Sequence, residues 1–324
     1  MPKPKPTSVP INGLNTRTIS EGFTQSEISD MGCMQRWNFR YNQLLEKQGV
    51  INYPLRVGTV WHDAQEQFYA TKGARVSVAT LQFLDTDIPS QVDIEEMKYW
   101  NAVLPMMMEA YSIYYKADPI KWTIHAIERE MDIKYRGIRL RGKIDIIGTD
   151  KNGNWIWDHK TTSRLNLDVV AGWDFRFQFM FYLWLLSKEE PMKMKGFVIN
   201  ATKKTELRVK KLESLPEFGV RVREDMIINP NKYFFRYQYI ITKGQLEYFE
   251  KNVVDPKLDI LEYIMAHPND QLAWSLMHNK NTDECQKWGG KPCPYIELCQ
   301  HGESHRFLYR EKDEKHAELE NEAA

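Results

Sequence analysis

At 324 residues, 42% of them hydrophobic and 12% aromatic, the chain carries enough apolar surface for one large domain or one and a half. No apolar run approaches the length of a membrane span, since the richest, Phe175 to Leu186, is short and contains Arg176 and Gln178. Lys plus Arg balances Asp plus Glu at 44 each, which excludes a global positive field for nucleic acid and leaves any such contact to local patches.

Residues 1–15, rich in Lys, Pro and Ser, read as disordered, and the opening MPKPKPTSVP lacks the apolar core of a secretory signal, so a soluble cytoplasmic protein is expected. Thr24 to Tyr41 reads as a helix: Thr24 or Ser26 can cap it, Ile28, Met31, Trp37 and Tyr41 recur at roughly helical spacing, and Cys33 rides on it. A second helix, about Arg56 to Ala70, carries His62 on one face with Gln65, Glu66 and Tyr69. Residues 76–118 read as an all-helical insertion whose stripe of Met97, Trp100, Leu104, Met107, Met108, Tyr111 and Tyr114 belongs to the core.

The sheet is expected to begin near Ile124. Alternation from Glu128 to Tyr135, then in Ile138 to Arg141 and in Trp155 to Trp157, predicts successive strands broken at Arg136-Gly137 and Asn152-Gly153. Trp173 to Leu186 reads as a buried helix, Gly196 to Ala201 and residues 233–242 as strands, and Gln245 to Met265 as a helix. The Gly- and Pro-rich stretch 278–294 reads as a loop and 311–324 as a charged tail, with one domain over 16–310.

The chemistry gathers in the hairpin. A two-residue turn at Asn152-Gly153, the strongest short hairpin signal, would set Asp145 directly across from Lys160. Asp158 shares the face of Lys160 because strand side chains repeat every second residue. The two carboxylates would then be diagonal neighbours within bridging distance of a cation. Carboxylate oxygens are hard ligands suited to Mg2+ or Mn2+, which polarise a phosphoryl group and acidify a bound water. Lys160 could orient that water or neutralise charge on the phosphorus. The bland alternative is a cross-strand salt bridge. His62 could add a nitrogen ligand favouring Mn2+, or be structural. Gln178 and Tyr182, one turn apart, either satisfy buried backbone or reach a substrate.

Two basic segments punctuate the chain, Lys134, Arg136, Arg139, Arg141 and Lys143, and then Lys203, Lys204, Arg208, Lys210 and Lys211; each is equally readable as a solvated face. The four cysteines divide as Cys33 against Cys285, Cys293 and Cys299. In a reducing compartment they favour metal ligation or buried thiols over disulfides.

Jointly these pieces resemble the RecB-like branch of the PD-(D/E)XK nuclease superfamily. Its pattern of Gly-x-x-x-His, a first-strand acid, Gly-x-x-Asp, Asp/Glu-x-Lys-Thr and Gln-x-x-x-Tyr reads here as Gly58 to His62, Glu128 or Glu130, Gly142 to Asp145, Asp158 to Thr161, and Gln178 to Tyr182. The resemblance implies an α/β, restriction-endonuclease-like core, a central mixed sheet flanked by helices, with the helical insertion and a C-terminal cysteine cluster. It implies that His62, Asp145 and Asp158 ligate Mg2+ or Mn2+, that Lys160 assists the attacking water, and that Gln178 and Tyr182 support the site or contact DNA. Glu130 is preferred over Glu128 as the first-strand acid because it is taken to lie nearer the site.

One subset of that branch, including AddB-type helicase-nucleases and CRISPR-associated adaptation nucleases, carries a 4Fe–4S cluster on one upstream and three downstream cysteines. Cys33 with Cys285-x7-Cys293-x5-Cys299 is similar, the loop 278–300 closing onto Cys33. A zinc site usually shows paired Cys-x2-Cys knuckles, which are absent. The expectation is a metal-dependent DNA nuclease, an exonuclease of recombination, repair or phage DNA processing. Without a Gly-x4-Gly-Lys-Ser/Thr helicase motif it would act on ends, flaps or single strands, or borrow a helicase or recombination partner. The rivals are a non-catalytic nucleic-acid-binding protein of the same fold and a zinc-stapled structural protein.

Overall fold

The computed structural model describes residues 14–74, 76–85, 87–165, 177–189, 193–286, 292–312 and 315. In chain order the helices are α1 (Thr16–Glu21), α2 (Gln25–Asp30), α3 (Met34–Trp37), α4 (Tyr53–Ala70), α5 (Gln91–Tyr114), α6 (Asp118–Lys121), α7 (Phe177–Glu189), α8 (Leu215–Ile228), α9 (Pro230–Tyr233), α10 (Lys243–Phe249), α11 (Asp255–Ala266), α12 (Gln271–Met277) and α13 (Ile296–His301). The strands are β1 (Phe23–Thr24), β2 (Leu45–Lys47), β3 (Thr123–Tyr135), β4 (Ile138–Asp150), β5 (Gly153–Thr162), β6 (Met194–Lys203), β7 (Phe234–Ile240) and β8 (Tyr309–Glu311).

The main sheet is mixed, β3, β4 and β5 antiparallel, β5 and β6 parallel, and β6 and β7 antiparallel, while β1 pairs in parallel with β4 and β2 pairs with β8 apart from it. A parallel step between β5 and β6 needs a crossover, and α7 lies on it. Two apolar layers sandwich the sheet. On one side α7, α11 and α12 supply Phe181, Trp184, Leu258, Leu261 and Met277. On the other, α4, α5 and α8 supply Trp61, Phe68, Leu104, Met107, Phe218 and Val222. This is the two-faced burial that a sheet containing a parallel pair requires. Gly219 permits the close approach of α8 to α5, because a Cβ there would sit 2.6 Å from the Ala102 carbonyl oxygen.

Several expectations are corrected. The stretch from Thr24 to Tyr41 is not one helix: Thr24 and Glu27 form a capping box for α2, the chain turns at Met31 to Cys33, and Cys33 is extended (φ −135°, ψ 101°) just before α3. The segment 76–118 is not all helical either. Residues 76–85 and 87–90 have no helix, and α5 starts only after the Ser90/Asp93 capping box. The helix expected over Gln245 to Met265 is interrupted by a π-turn at Glu250–Val254, where Pro256 removes a backbone donor. Of the expected disordered N-terminus, residues 1–13 lie outside the described residues, but Leu14 is buried and Asn15 caps α1. Of the charged tail, Glu311 belongs to β8, and Lys315 is buried with its Nζ 2.8 Å from Glu27 Oε1. Within the expected loop, Thr282–Gln286 is a turn of 3-10 helix, and residues 287–291 lie outside the described residues. The helix expected from Trp173 is described from Phe177 onward.

Candidate nuclease site

The hairpin forms one step away from its expected register. Asp150 accepts hydrogen bonds from the Asn152 and Gly153 amides and from Trp155 Nε1, an Asx turn that places Lys151 and Asn152 at the tip. Asp150 therefore pairs with Gly153 and Ile146 with Trp157, where the ladder ends. Continued one step, that register brings Asp145 opposite Asp158 rather than Lys160.

Alternation also fails at this point. Ile144 and Ile146, which regular pleating would put on one face, pack into opposite cores. Strand β3 kinks alongside, with Glu128 at φ 50° between the pairs Ile127–Ile146 and Arg129–Ile144. The chain thus rolls at Asp145 and frees its carboxylate from the pleat. Asp145 Oδ2 accepts the main-chain N–H of His159 at 2.6 Å, standing in for the missing ladder bond.

Asp158, 5% exposed, is the centre of the cluster. Its Oδ1 accepts from Lys160 Nζ and from Gln178 Nε2, each at 3.0 Å, and Lys160 Nζ also donates to Gln178 Oε1 at 3.1 Å. Lys160 Nζ lies 2.7 Å from Asp158 Oδ2 as well, so the ammonium is shared between the two carboxylate oxygens. Burial pushes the Asp158 carboxyl up to about 6; Lys160 opposes this, and the charge of Asp145 adds to it. Asp145 is raised for the same first reason, burial.

His62, on α4, brings Nδ1 to 3.6 Å from Asp145 Oδ2. Burial, then the Lys160 charge, hold its imidazole down to about 4, which leaves it neutral with a lone pair to offer. The ring also packs edge to face on the His159 ring, centroids 5.9 Å apart. Tyr182 packs over Gly142: a Cβ at that glycine would meet Tyr182 Cε1 at 3.0 Å and Leu185 Cδ2 at 3.2 Å. The glycine three residues before Asp145 thereby lets α7 close onto β4 and deliver Gln178 to Asp158.

The donor set suits a hard divalent cation. It offers two carboxylates, Asp145 and Asp158, and a neutral imidazole. Among the described residues no three His, Cys, Asp or Glu side chains close into a cage, which a cation that keeps much of its water does not require.

Of the sequence-predicted residues, His62, Asp145, Asp158, Lys160 and Gln178 come together. Glu130 is exposed and pairs along the ladder with Lys143. Because β3 and β4 are antiparallel, moving forward along β3 moves away from Asp145, and Glu128 is the acid that comes opposite it. Glu128 Oε2 lies 2.5 Å from Lys143 Nζ. Two contributors escaped the motif reading: Glu66, whose charge raises Asp145, and Lys143, whose charge lowers it. The spacing of Glu66 one turn after His62 was the available signal.

The cysteines form a second locale. Cys33 is buried, the other three are partly buried, and all four are free thiols. Cys293 N donates to Cys285 O at 2.7 Å, and the Cys299 thiol, pushed up to about 11 chiefly by burial, is raised further by the charges of Cys293, Cys33 and Cys285. The soft donors suit a thiophilic metal.

An α/β sandwich with an acid-lysine cluster at the opening of its central hairpin defines a nuclease class. The model of the PD-(D/E)XK nuclease superfamily matches residues 26–300, and the chain belongs to that superfamily, whose members are generally metal-dependent nucleases. No curated protein matches. A solved structure described as "Crystal structure of SSO0001" is 18% identical over 40% of this chain, with a TM-score of 0.20. The match spans about 60% of that structure's chain. Among the described residues no helix is long and apolar enough to cross a membrane.

Proposed function

We propose that this protein is a Mg2+- or Mn2+-dependent deoxyribonuclease acting as an exonuclease on DNA ends or single strands. The observation that carries the reading is the buried Asp158 carboxylate, gripped by Lys160 at 3.0 and 2.7 Å on its two oxygens and by Gln178 on one, with the Asp145 carboxylate close enough for its charge to be felt. His62, Asp145 and Asp158 would hold the cation, with Glu128 opposite Asp145 on β3. The cation would polarise the phosphodiester and acidify its water. Lys160, already adjacent to the carboxylates, would orient the nucleophile or offset charge on the phosphorus.

The first basic segment does not support DNA binding, since Arg136 is engaged by Glu262 and Asp259, Arg139 by Asp132, and Lys143 by Glu128. The second does. It leaves β6 at Lys203, the partner of Thr162 just beyond the catalytic stretch of β5, and exposes Arg208, Lys210 and Lys211. The one-plus-three division of the cysteines and the bond from Cys293 N to Cys285 O at 2.7 Å support a 4Fe–4S cluster on Cys33, Cys285, Cys293 and Cys299, although among the described residues the thiols do not close into a metal-holding group. Iron and sulfide analysis after anaerobic purification tests it, zinc without iron being the contrary result.

Digestion of end-labelled linear and circular DNA, single- and double-stranded, tests the activity. Cleavage of linear but not circular DNA, dependent on Mg2+ or Mn2+ and stopped by chelator, is expected. Binding without cleavage under every condition would favour a non-catalytic member of the fold.

A further inference from the structure

His159 stands between the two motif residues Asp158 and Lys160, yet its side chain turns to the opposite core and is 2% exposed. Its ring stacks on Tyr69 at 5.8 Å and 13°. Nδ1 lies 2.9 Å from Asn200 Nδ2. The orientation of that amide is dictated from behind: Asn200 Oδ1 accepts from Arg236 Nε at 3.2 Å and from Arg236 Nη2 at 3.0 Å. Asn200 Nδ2 is thereby turned to donate to His159 Nδ1 and to the Tyr111 hydroxyl at 2.7 Å.

Arg236 is itself locked. Nη1 donates to Asp118 Oδ2 at 2.7 Å, Nη2 to the Tyr69 hydroxyl at 3.0 Å, and the guanidinium lies 4.0 Å over the ring of Tyr115. Tyr69 closes the circuit by donating to Asp118 Oδ2 at 2.9 Å. The network spans α4, α5, α6, β5, β6 and β7, so it references His159 to most of the fold. What it fixes is the main chain of His159, whose N–H faces the cation site. The N–H holds Asp145 at 2.6 Å. The His62 ring packs edge to face against the His159 ring, centroids 5.9 Å apart and planes at 88°.

We propose that Arg236, Asn200 and His159 form a positioning chain that sets Asp145 and His62 for the divalent cation, His159 acting through its main-chain N–H on Asp145 and through its ring on His62. The inference rests on the cation-dependent reading above. A charge-assisted bond to one ligand and a packing contact with the other are the kind of outer contacts whose loss weakens metal affinity by about 10–100-fold.

Mn2+ titration by calorimetry on the full chain, well below each variant's unfolding midpoint, tests it. His159→Phe keeps the stack on Tyr69 and loses the Nδ1 acceptor; Asn200→Leu removes the donor. Both are expected to weaken Mn2+ binding by about 10–100-fold. His159→Gln, whose amide oxygen can accept from Asn200, is expected to recover part of the loss. Wild-type Mn2+ affinity in folded His159→Phe, even with a lowered midpoint, overturns the positioning role and leaves the nuclease reading standing. If His159→Phe fails to fold, wild-type affinity in Asn200→Leu or in the milder Asn200→Asp, which lacks the amide donor, overturns it equally. A wild-type protein that neither binds Mn2+ nor cuts would instead remove the reading beneath it.

Discussion

The cation site and the cysteine locale are built in opposite ways. Asp145, Asp158, Lys160 and Gln178 lie close together in sequence, and a kinked hairpin and one helix suffice to gather them. The cysteine locale joins residue 33 to residues near 290, and the chain around it is already zipped by other means. Strand β2 pairs with β8, the Tyr295 hydroxyl donates to the Leu45 carbonyl at 2.6 Å, and Arg36 bonds Glu284 at 3.1 Å. Lys315 is sunk beside Glu27, donating also to the carbonyls of Thr18 and Gly22. The lesson is that the hairpin site is chemically poised at a cost in buried charge, whereas the cysteine locale reinforces a seam that protein contacts have closed. A change at the first should be read in activity, and a change at the second in stability.

That contrast can be broken at either end. At the hairpin, Lys160→Met is expected to lower single-turnover cleavage by about 10²–10³-fold with little change in DNA binding. A cleavage rate near wild type would show that the lysine serves only as a salt-bridge partner of Asp158. At the seam, Lys315→Met leaves Glu27 buried without its ammonium partner and is expected to cost about 3 kcal/mol in urea unfolding. Loss of stability well under 1 kcal/mol would mean that the C-terminal contact is marginal. Cys293→Ala is expected to give a colourless protein of lower stability. The shift should be less than the roughly 5–6 kcal/mol of loop-closure entropy for a link this long, because the seam persists without it. A brown, fully stable variant would remove Cys293 from the cluster.

The smallest predicted effect is in pH. Asp158, raised to about 6 by burial, holds a proton in the folded protein where the unfolded carboxyl has already released its own. This contribution to stability is therefore full below pH 4 and is lost as pH rises through about 6. A cation must displace that proton, so Mn2+ affinity should rise by up to about tenfold per pH unit below 6 and flatten above. Affinity flat from pH 5 to pH 7 would place the titration elsewhere.

Much of the site was legible because its residues sit on regular, strongly patterned elements. The order of β3, β4 and β5 follows from alternation and turn residues, and the spacing of Gln178 and Tyr182 follows from helical period. What escaped depends on single side-chain bonds that patterns do not encode. Asp150 captures the turn amides and moves the hairpin tip by one residue, so Asp145 meets Asp158. The kink at Glu128 and the roll at Asp145 arise where β3 and β4 depart from regular pleating together, whereas the choice of Glu128 over Glu130 follows from the antiparallel register alone. The burial of Lys315 and the chain from Arg236 to His159 are long-range pairings, visible only once distant segments meet.

The central claim is tested most directly by cleavage of end-labelled single-stranded DNA in Mn2+ by the wild type and Asp158→Ala, with DNA binding measured alongside. The proposed function predicts binding within a few-fold of wild type and a cleavage rate lowered by at least about 10³-fold, because the variant would lose the proposed cation ligand together with the anchor of Lys160 and Gln178. Cleavage by Asp158→Ala at the wild-type rate would contradict the hairpin site.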